Sequence, residues 1–330
     1  MKTRQFTHPS RSVSEIGLGC WQLGGTDWGV INEERAFDIL RQAVDSGISC
    51  FDTADVYGSG RSEELLGKFL KEEGAGRNLF VATKLGRSAD LFPNQYTEQG
   101  VCRAVEKSLE RLGVETLELT QLHCVPIEVL RKGEIFEWLR RLQQEGKILR
   151  FGASVESDAE ALLCLGQEGI SSLQIIFNIF RQKPAFHLLE EAKKRDVAII
   201  ARLPLASGVL SGKFTQATQF AEKDHRNYNR DGAAFNVGET FAGIPFPQAV
   251  ALAEELKLLL PAEGLSMAEM AQRWILDHDA VTTVITGASR PEQVALNAAV
   301  SLLPSLPSEL HHKLRLFYDQ YVASQIRGPY

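Results

Sequence analysis

The stretch FDTADVYGSGRSEE, residues 51–64, closes an apolar run on Asp52, sets Tyr57 five positions later, and opens a helical pattern after Gly58 and Gly60. Strand, polar exit loop and helix follow one another within a few residues, and the next apolar run, NLFVATK at 78–84, ends on a lysine. The same unit recurs along the chain. Short β-rich runs fall at 16–20, 48–52, 78–84, 117–123, 147–154, 172–178, 197–203 and 282–287, eight in all. Amphipathic segments lie between them, such as 33–47 and 101–113, which stop at Gly47 and Gly113. The strands do not alternate cleanly between apolar and polar, which is the mark of a parallel sheet buried on both faces. The pattern predicts an α/β chain of the (β/α)8 TIM-barrel class, with a doubly wound sheet as the second choice. Residues 1–15 are expected to form a hairpin plugging the barrel bottom, and 307–322 an extra C-terminal helix. Residues 1–330 are expected to make one barrel domain.

Bulk properties exclude several classes. With 44% hydrophobic and 24% charged residues, the chain has enough apolar surface to bury a core without disulfide or metal staples. A formal net charge of −6 and the absence of a basic run argue against nucleic acid as a partner. Five cysteines, an odd number without C-x-x-C spacing, suit a reducing compartment. No apolar run approaches the ~20 residues of a membrane span, and the N-terminus lacks a signal-peptide core, so a cytoplasmic protein without a membrane partner is expected.

In parallel barrels, chemistry sits at the carboxyl ends of the strands. Asp52, Lys84, His123 and Ser154 end the second to fifth runs, Gln174 lies in the sixth, Arg202 falls late in the seventh, and Gly287 to Arg290 follow the eighth. Each alone has a structural explanation: a capping Asp, a snorkelling Lys, a satisfied core His. Their convergence on one rim is what a structural role does not explain. Period-two alternation puts Lys84 on the face of Phe80 and Ala82, and Asp52 on the face of Cys50. A lysine buried there needs an anion, and Asp52 is the nearest. An ammonium about 4 Å from a phenol contributes up to ~4 kcal/mol at an effective dielectric of 20, enough to pull Tyr57 from ~10 toward neutrality, less whatever Asp52 offsets.

Competing motifs fail on spacing. GVLSGKF, 208–214, has three residues between its glycines and Phe214 after the lysine, so it is not a phosphate loop. GLGCWQLGG, 17–25, has Gln22 where a dinucleotide fingerprint needs its third glycine. No histidine or cysteine spacing suits a metal. About forty residues from Gly208 to Phe246 join the seventh strand to the following helix, far above the ~2–6 usual for such a connection. Their aromatic residues predict a lid packed over a ligand rather than a mobile insertion.

Taken together, VSEIGLGCWQLGG, FDTADVYGSGRSEELLG, FVATK, QLH, PLASGVLSGKF and TGASRPEQVALNA resemble the aldo-keto reductase family over nearly the whole chain. The resemblance implies a barrel that binds NADPH (NADP+) without a Rossmann domain and reduces an aldehyde or ketone. By motif, Asp52, Tyr57, Lys84 and His123 match the catalytic tetrad, with Tyr57 as general acid. The implied cofactor site runs from Gly19, Cys20 and Trp21 past Asp52, Ser154 and Gln174 to Arg202, Leu203, Pro204 and Leu205. It continues along Ser207, Gly208 and Lys213 to Gly287, Ser289, Arg290, Gln293 and Asn297. Two departures stand out: Val155 replaces the usual asparagine, and Arg202 stands where an aromatic ring often stacks on nicotinamide. A guanidinium there would favour NADPH over cationic NADP+. SRPE, 289–292, also reads as a capping box with Pro291 in the first turn. Trp21, Trp28, Tyr57, Leu85, His123 and Val125 are the substrate-facing candidates, and Cys124 is expected to be an inert buried thiol. Other readings are a nucleotide-binding, redox-sensing partner resembling potassium-channel β-subunits, or a non-redox barrel isomerase or lyase.

Overall fold

A hairpin of β1 (Thr3–Phe6) and β2 (Arg11–Ser14) precedes eight parallel strands: β3 (Ile16–Gly19), β4 (Cys50–Asp52), β5 (Phe80–Leu85), β6 (Leu119–His123), β7 (Phe151–Ser154), β8 (Ile170–Ile176), β9 (Ala198–Arg202) and β10 (Val281–Gly287). They pair in chain order, and β10 pairs back onto β3 to close the barrel. This computed structural model describes residues 1–6, 9–25, 28, 31–74, 76–260 and 264–330. All eight strands fall within a few residues of their expected positions. The (β/α)8 expectation holds, and no helix among the described residues is long and apolar enough to cross a membrane.

The barrel is filled from below. Phe6 and Val13 of the hairpin are wholly buried with Cys50, Phe80, Ala82, Leu119, Ala198, Ile200 and Ile285, and the Phe6 and Phe80 rings meet at 4.9 Å between centroids. Between strands and helices runs a larger apolar layer. The helices that carry it are capped as their sequences suggest. Thr97 accepts from Gly100 N at the start of Glu98–Leu112, and Gly113 ends that helix in the left-handed region. At the C-terminus, Ser308–Phe317 is helical and one π turn follows at Tyr318–Val322.

Register sets what reaches the rim. Asp52 pairs with Gly19 on one side and Ala82 on the other, Lys84 lies beside Gln121, and His123, Ser154 and Gln174 sit side by side across β6, β7 and β8. The exit loop after β4 is fixed by a backbone contact. Gly58 has φ +60°, and a Cβ there would lie 1.7 Å from the carbonyl oxygen of Gly24. The peptide next to Tyr57 therefore rests directly on the short helix Trp21–Gly24. Gly58→Ala is expected to lower the unfolding free energy by about 2–4 kcal/mol in chemical denaturation. Gly113→Ala, whose Cβ would meet nothing within 4 Å, should cost only about 1 kcal/mol.

Candidate active site

At the top of the barrel the Lys84 ammonium is enclosed by three oxygens. Its Nζ lies 2.6 Å from Asp52 Oδ2, 2.9 Å from the Thr53 carbonyl and 3.1 Å from the Tyr57 hydroxyl. Gln174 donates from Nε2 to Asp52 Oδ1 at 2.7 Å, so both carboxylate oxygens are held. The Tyr57 ring stands edge-on to His123 at 5.8 Å and stacks on Trp21 at 5.7 Å. Asp52, Tyr57 and His123 line one cavity of about 750 Å³; Lys84 stands behind them, buried.

Environment sets the protonation states. Burial opposes the Lys84 charge, but Asp52 and Tyr57 together outweigh it and hold the pKa above the ordinary lysine value. For Tyr57 the balance falls the other way from the sequence expectation. Burial pushes the phenol up, Lys84 pulls it down, Asp52 pushes it up again, and the net shift is upward. The tyrosine is therefore neutral at rest and not poised near neutrality. His123 is held neutral, well below its usual pKa, by burial and then by Arg87, Lys84 and Arg202. Its Nδ1 is buried with no hydrogen-bond partner among the described residues.

Most sequence candidates for the cofactor line the cavity: Gly19, Trp21, Asp52, Gln174, Arg202 and the Leu203–Leu205 segment, then Ser207, Gly208, Lys213, Gly287, Ser289, Arg290, Gln293 and Asn297. Cys20 does not; its thiol points into the apolar layer and contacts the Leu18 carbonyl. Ser154 does not either: it lies behind Gln174, 3.5 Å from Oε1. Among substrate candidates, Trp21, Trp28, Tyr57 and His123 line the cavity, whereas Leu85 and Val125 do not. Leu85 is the last residue of β5, one position from inward-facing Lys84, so alternation turns it to the outer layer, where Val125 also packs. The capping box is also corrected. The helix Pro291–Ala299 has extended Arg290 as N-cap without a side-chain bond, and Gln293 Oε1 instead accepts from Ser289 N at 2.8 Å.

The long connection does pack over the cavity. Phe214, Phe220, Phe241 and Phe246 form one aromatic cluster. Arg226, paired with Asp224, lies 4.6 Å from the Phe220 ring centroid and 4.8 Å from that of Trp28. This lid brings in charges that no periodicity announces. Glu239 meets Arg87 Nη2 at 2.8 Å and Arg202 Nη1 at 3.5 Å, and Glu156 meets the same Arg87 nitrogen at 2.8 Å. Cys124 Sγ, Glu156 and Glu239 offer ligand atoms within 4.8 Å of one another, but arginine already balances those carboxylates. Burial pushes the Cys124 thiol up to about 12, so it is unreactive although it lines the cavity.

Lys213 and Arg290 line the far end without an acidic partner among the described residues, the reverse of paired Arg226. Arg202 Nε is buried with no partner among the described residues. Gln272 holds Asn297 Oδ1 at 3.1 Å, and the Asn297 amide nitrogen has no partner among the described residues. A Cβ on Gly287 would strike the Gln22 side chain at 2.2 Å. An elongated, polyanionic nucleotide fits such a wall.

Residues 15–318 match the Aldo/keto reductase family model. The chain belongs to this family. It is 32% identical to aldo-keto reductase YhdN of Bacillus subtilis over 290 residues, 86% of this chain and 83% of the relative. Among solved structures, the glycerol dehydrogenase AKR11B4 from Gluconobacter oxydans superposes with a TM-score of 0.78 at 27% identity, covering 99% of this chain and 98% of the other. The holo form of AKR11C1 from Bacillus halodurans gives 0.76 at 26%, covering 97% and 99%. Like its family, the protein is an oxidoreductase of carbonyl or alcohol groups that uses a nicotinamide cofactor.

Burial and mutual repulsion set the protonation of the Glu156–Glu239 pair. Burial and then Glu239 push Glu156 up to about 7, while Arg87 and Arg202 overcome burial to hold Glu239 down to about 2. Between those values the pair keeps one proton, which it loses as pH rises through about 7. A protonated-carboxyl infrared band is expected to fade across that range and to weaken in Glu156→Gln, the remainder belonging to Asp55, which burial also pushes up to about 7; an undiminished band in the variant would assign it elsewhere.

Proposed function

We propose that this protein is an NADPH-dependent carbonyl reductase in which Tyr57 is the proton donor. One observation carries the reading: a lysine pinned between Asp52 and Tyr57, with neutral His123 beside the phenol at the cavity wall. When bound, NADPH supplies the hydride. The protein's residues do the rest. His123 orients the carbonyl oxygen through a neutral N–H, and Tyr57 gives its proton to that oxygen as negative charge develops there. Lys84 stabilises the resulting phenolate, and Asp52 and Gln174 keep the ammonium in place. The raised resting pKa of Tyr57 supports this role, because a donor must hold its proton at working pH.

Arg290 and Lys213, without a carboxylate partner among the described residues, support a preference for the 2′-phosphorylated nucleotide, and Arg202, whose Nε has no partner among them either, supports a contact at the nicotinamide end. Glu239 moderates the Arg202 charge, so the preference for NADPH over NADP+ is smaller than a lone guanidinium would give. In this proposal residues 1–330 act as one barrel domain.

The test is fluorescence titration with NADPH and NADH followed by aldehyde and ketone turnover. Tyr57→Phe is expected to bind NADPH like wild type and to reduce about 10²- to 10⁴-fold more slowly. Arg290→Ala should move the binding preference toward NADH. A phenylalanine variant with undiminished turnover would remove Tyr57 from its role.

A further inference from the structure

Immediately beyond β5, Gly86 takes φ +117°, and a Cβ there would lie 3.7 Å from the backbone nitrogen of His123. The chain thus delivers Arg87 next to the proposed carbonyl-orienting histidine. Arg87 lines the same cavity as Tyr57 and His123, and it is the neighbouring charge that most depresses His123. Its guanidinium is held at one corner only. Nη2 bonds Glu156 Oε1 and Glu239 Oε1, each at 2.8 Å. Nε and Nη1 have no partner among the described residues, and they are not among the buried unbonded atoms. Two donors in a fixed plane are left accessible, while the opposite corner is clamped by two carboxyls from different loops.

We propose, building on the reductase reading, that Arg87 selects neutral carbonyl compounds bearing a second oxygen, a hydroxyl or another carbonyl, near the reacting carbon. Two unbonded guanidinium nitrogens in a wall that also carries Trp21, Trp28, Phe92 and Phe235 call for an acceptor once a substrate displaces water. A plain alkyl chain leaves them desolvated and unpaired, and sites built to bond an oxygen reject analogues that lack it. A full anion is disfavoured for a different reason. Arg87 and Arg202 already face Glu239 and Glu156, so a substrate carboxylate would meet a carboxylate of the protein as well as the cation. The donors are partly exposed rather than sealed, the side chain being 18% accessible, so discrimination of about 10- to 100-fold is expected, below the largest values for closed sites.

The experiment compares 2-hydroxypropanal with propanal, and butane-2,3-dione with butanone, using pyruvate as the anionic control. Wild type, Arg87→Met and Arg87→Lys are measured. The expected wild-type ratio of kcat/KM favours the oxygenated partner at least tenfold, carried mainly in KM, with pyruvate poor. In Arg87→Met the ratio should fall to within about threefold of unity. Arg87→Lys keeps a cation against Glu156 and Glu239 and should give an intermediate ratio, which tests the assignment if the methionine variant does not fold. A second arm needs no turnover: on NADP+-loaded protein, quenching of Trp21 and Trp28 should report tighter binding of propane-1,2-diol than of propan-1-ol, and this preference should vanish with Arg87. A preference that survives both replacements overturns the Arg87 assignment alone. A wild type that binds nucleotide and reduces neither class overturns the reductase reading, and the diol arm then still decides the role of Arg87.

Discussion

A lysine buried in the mouth of a closed barrel is the constraint from which the rest of the site follows. Lys84 is 1% exposed, and an unpaired ammonium there would cost several kcal/mol, so the fold must supply an anion at contact distance. Asp52 does so from the neighbouring strand at 2.6 Å. Removing either partner of such a pair typically destabilises by about 3–5 kcal/mol, because the other is left buried and uncompensated. That requirement fixes two strand ends relative to each other. It also fixes Tyr57, whose loop rests on Gly24 through Gly58, against the remaining face of the ammonium. The cation favours a phenolate only once a proton has somewhere to go, since burial keeps the phenol neutral at rest.

The lid adds a second electrostatic assembly to the first. Glu239 reaches in from the long connection between β9 and the helix Phe246–Lys257, Glu156 from the exit of β7, Arg87 from that of β5, and Arg202 from the end of β9 itself. Four separate segments of the rim are thereby tied by charge rather than by apolar packing. Backbone strain collects in the same place: Leu203, Ala206, Ser207, Phe241 and Ala242 all have positive φ. Such conformations cost on the order of 1 kcal/mol or more each and persist where surrounding contacts dictate them. Here Ser207 Oγ bonds both the Glu239 carbonyl and the Phe241 amide, and Arg327 near the C-terminus bonds the Gly243 carbonyl at 2.9 Å.

The barrel was legible in the sequence because its evidence is periodic. Eight apolar runs ending in polar residues leave few other folds, and Asp52, Lys84 and His123 follow from where those runs stop. Legibility ended where a single register step decides orientation. Leu85 looked like a loop residue but extends β5 by one position and so faces outward. Ser154 and Gln174 were indistinguishable as rim polars, yet the longer side chain reaches the cavity and Asp52 while the serine stays behind it. No sequence signal marks Arg87, Glu156 and Glu239, because charged loop residues are common and only a folded lid makes them neighbours. The acidity of Tyr57 departs from the sequence expectation for a related reason: a sequence reveals the cation but not the depth of burial that outweighs it.

The most direct measurement is a ¹³Cζ-tyrosine NMR titration of the nucleotide-free protein, with Tyr57 assigned by its loss in Tyr57→Phe. The expected result is a Tyr57 resonance that stays phenolic past the ~10 of an ordinary tyrosine, close to a Lys84 ammonium that remains charged. A phenolate growing in between pH 7 and 9 would contradict a buried, neutral donor and the balance of burial over charge on which it depends.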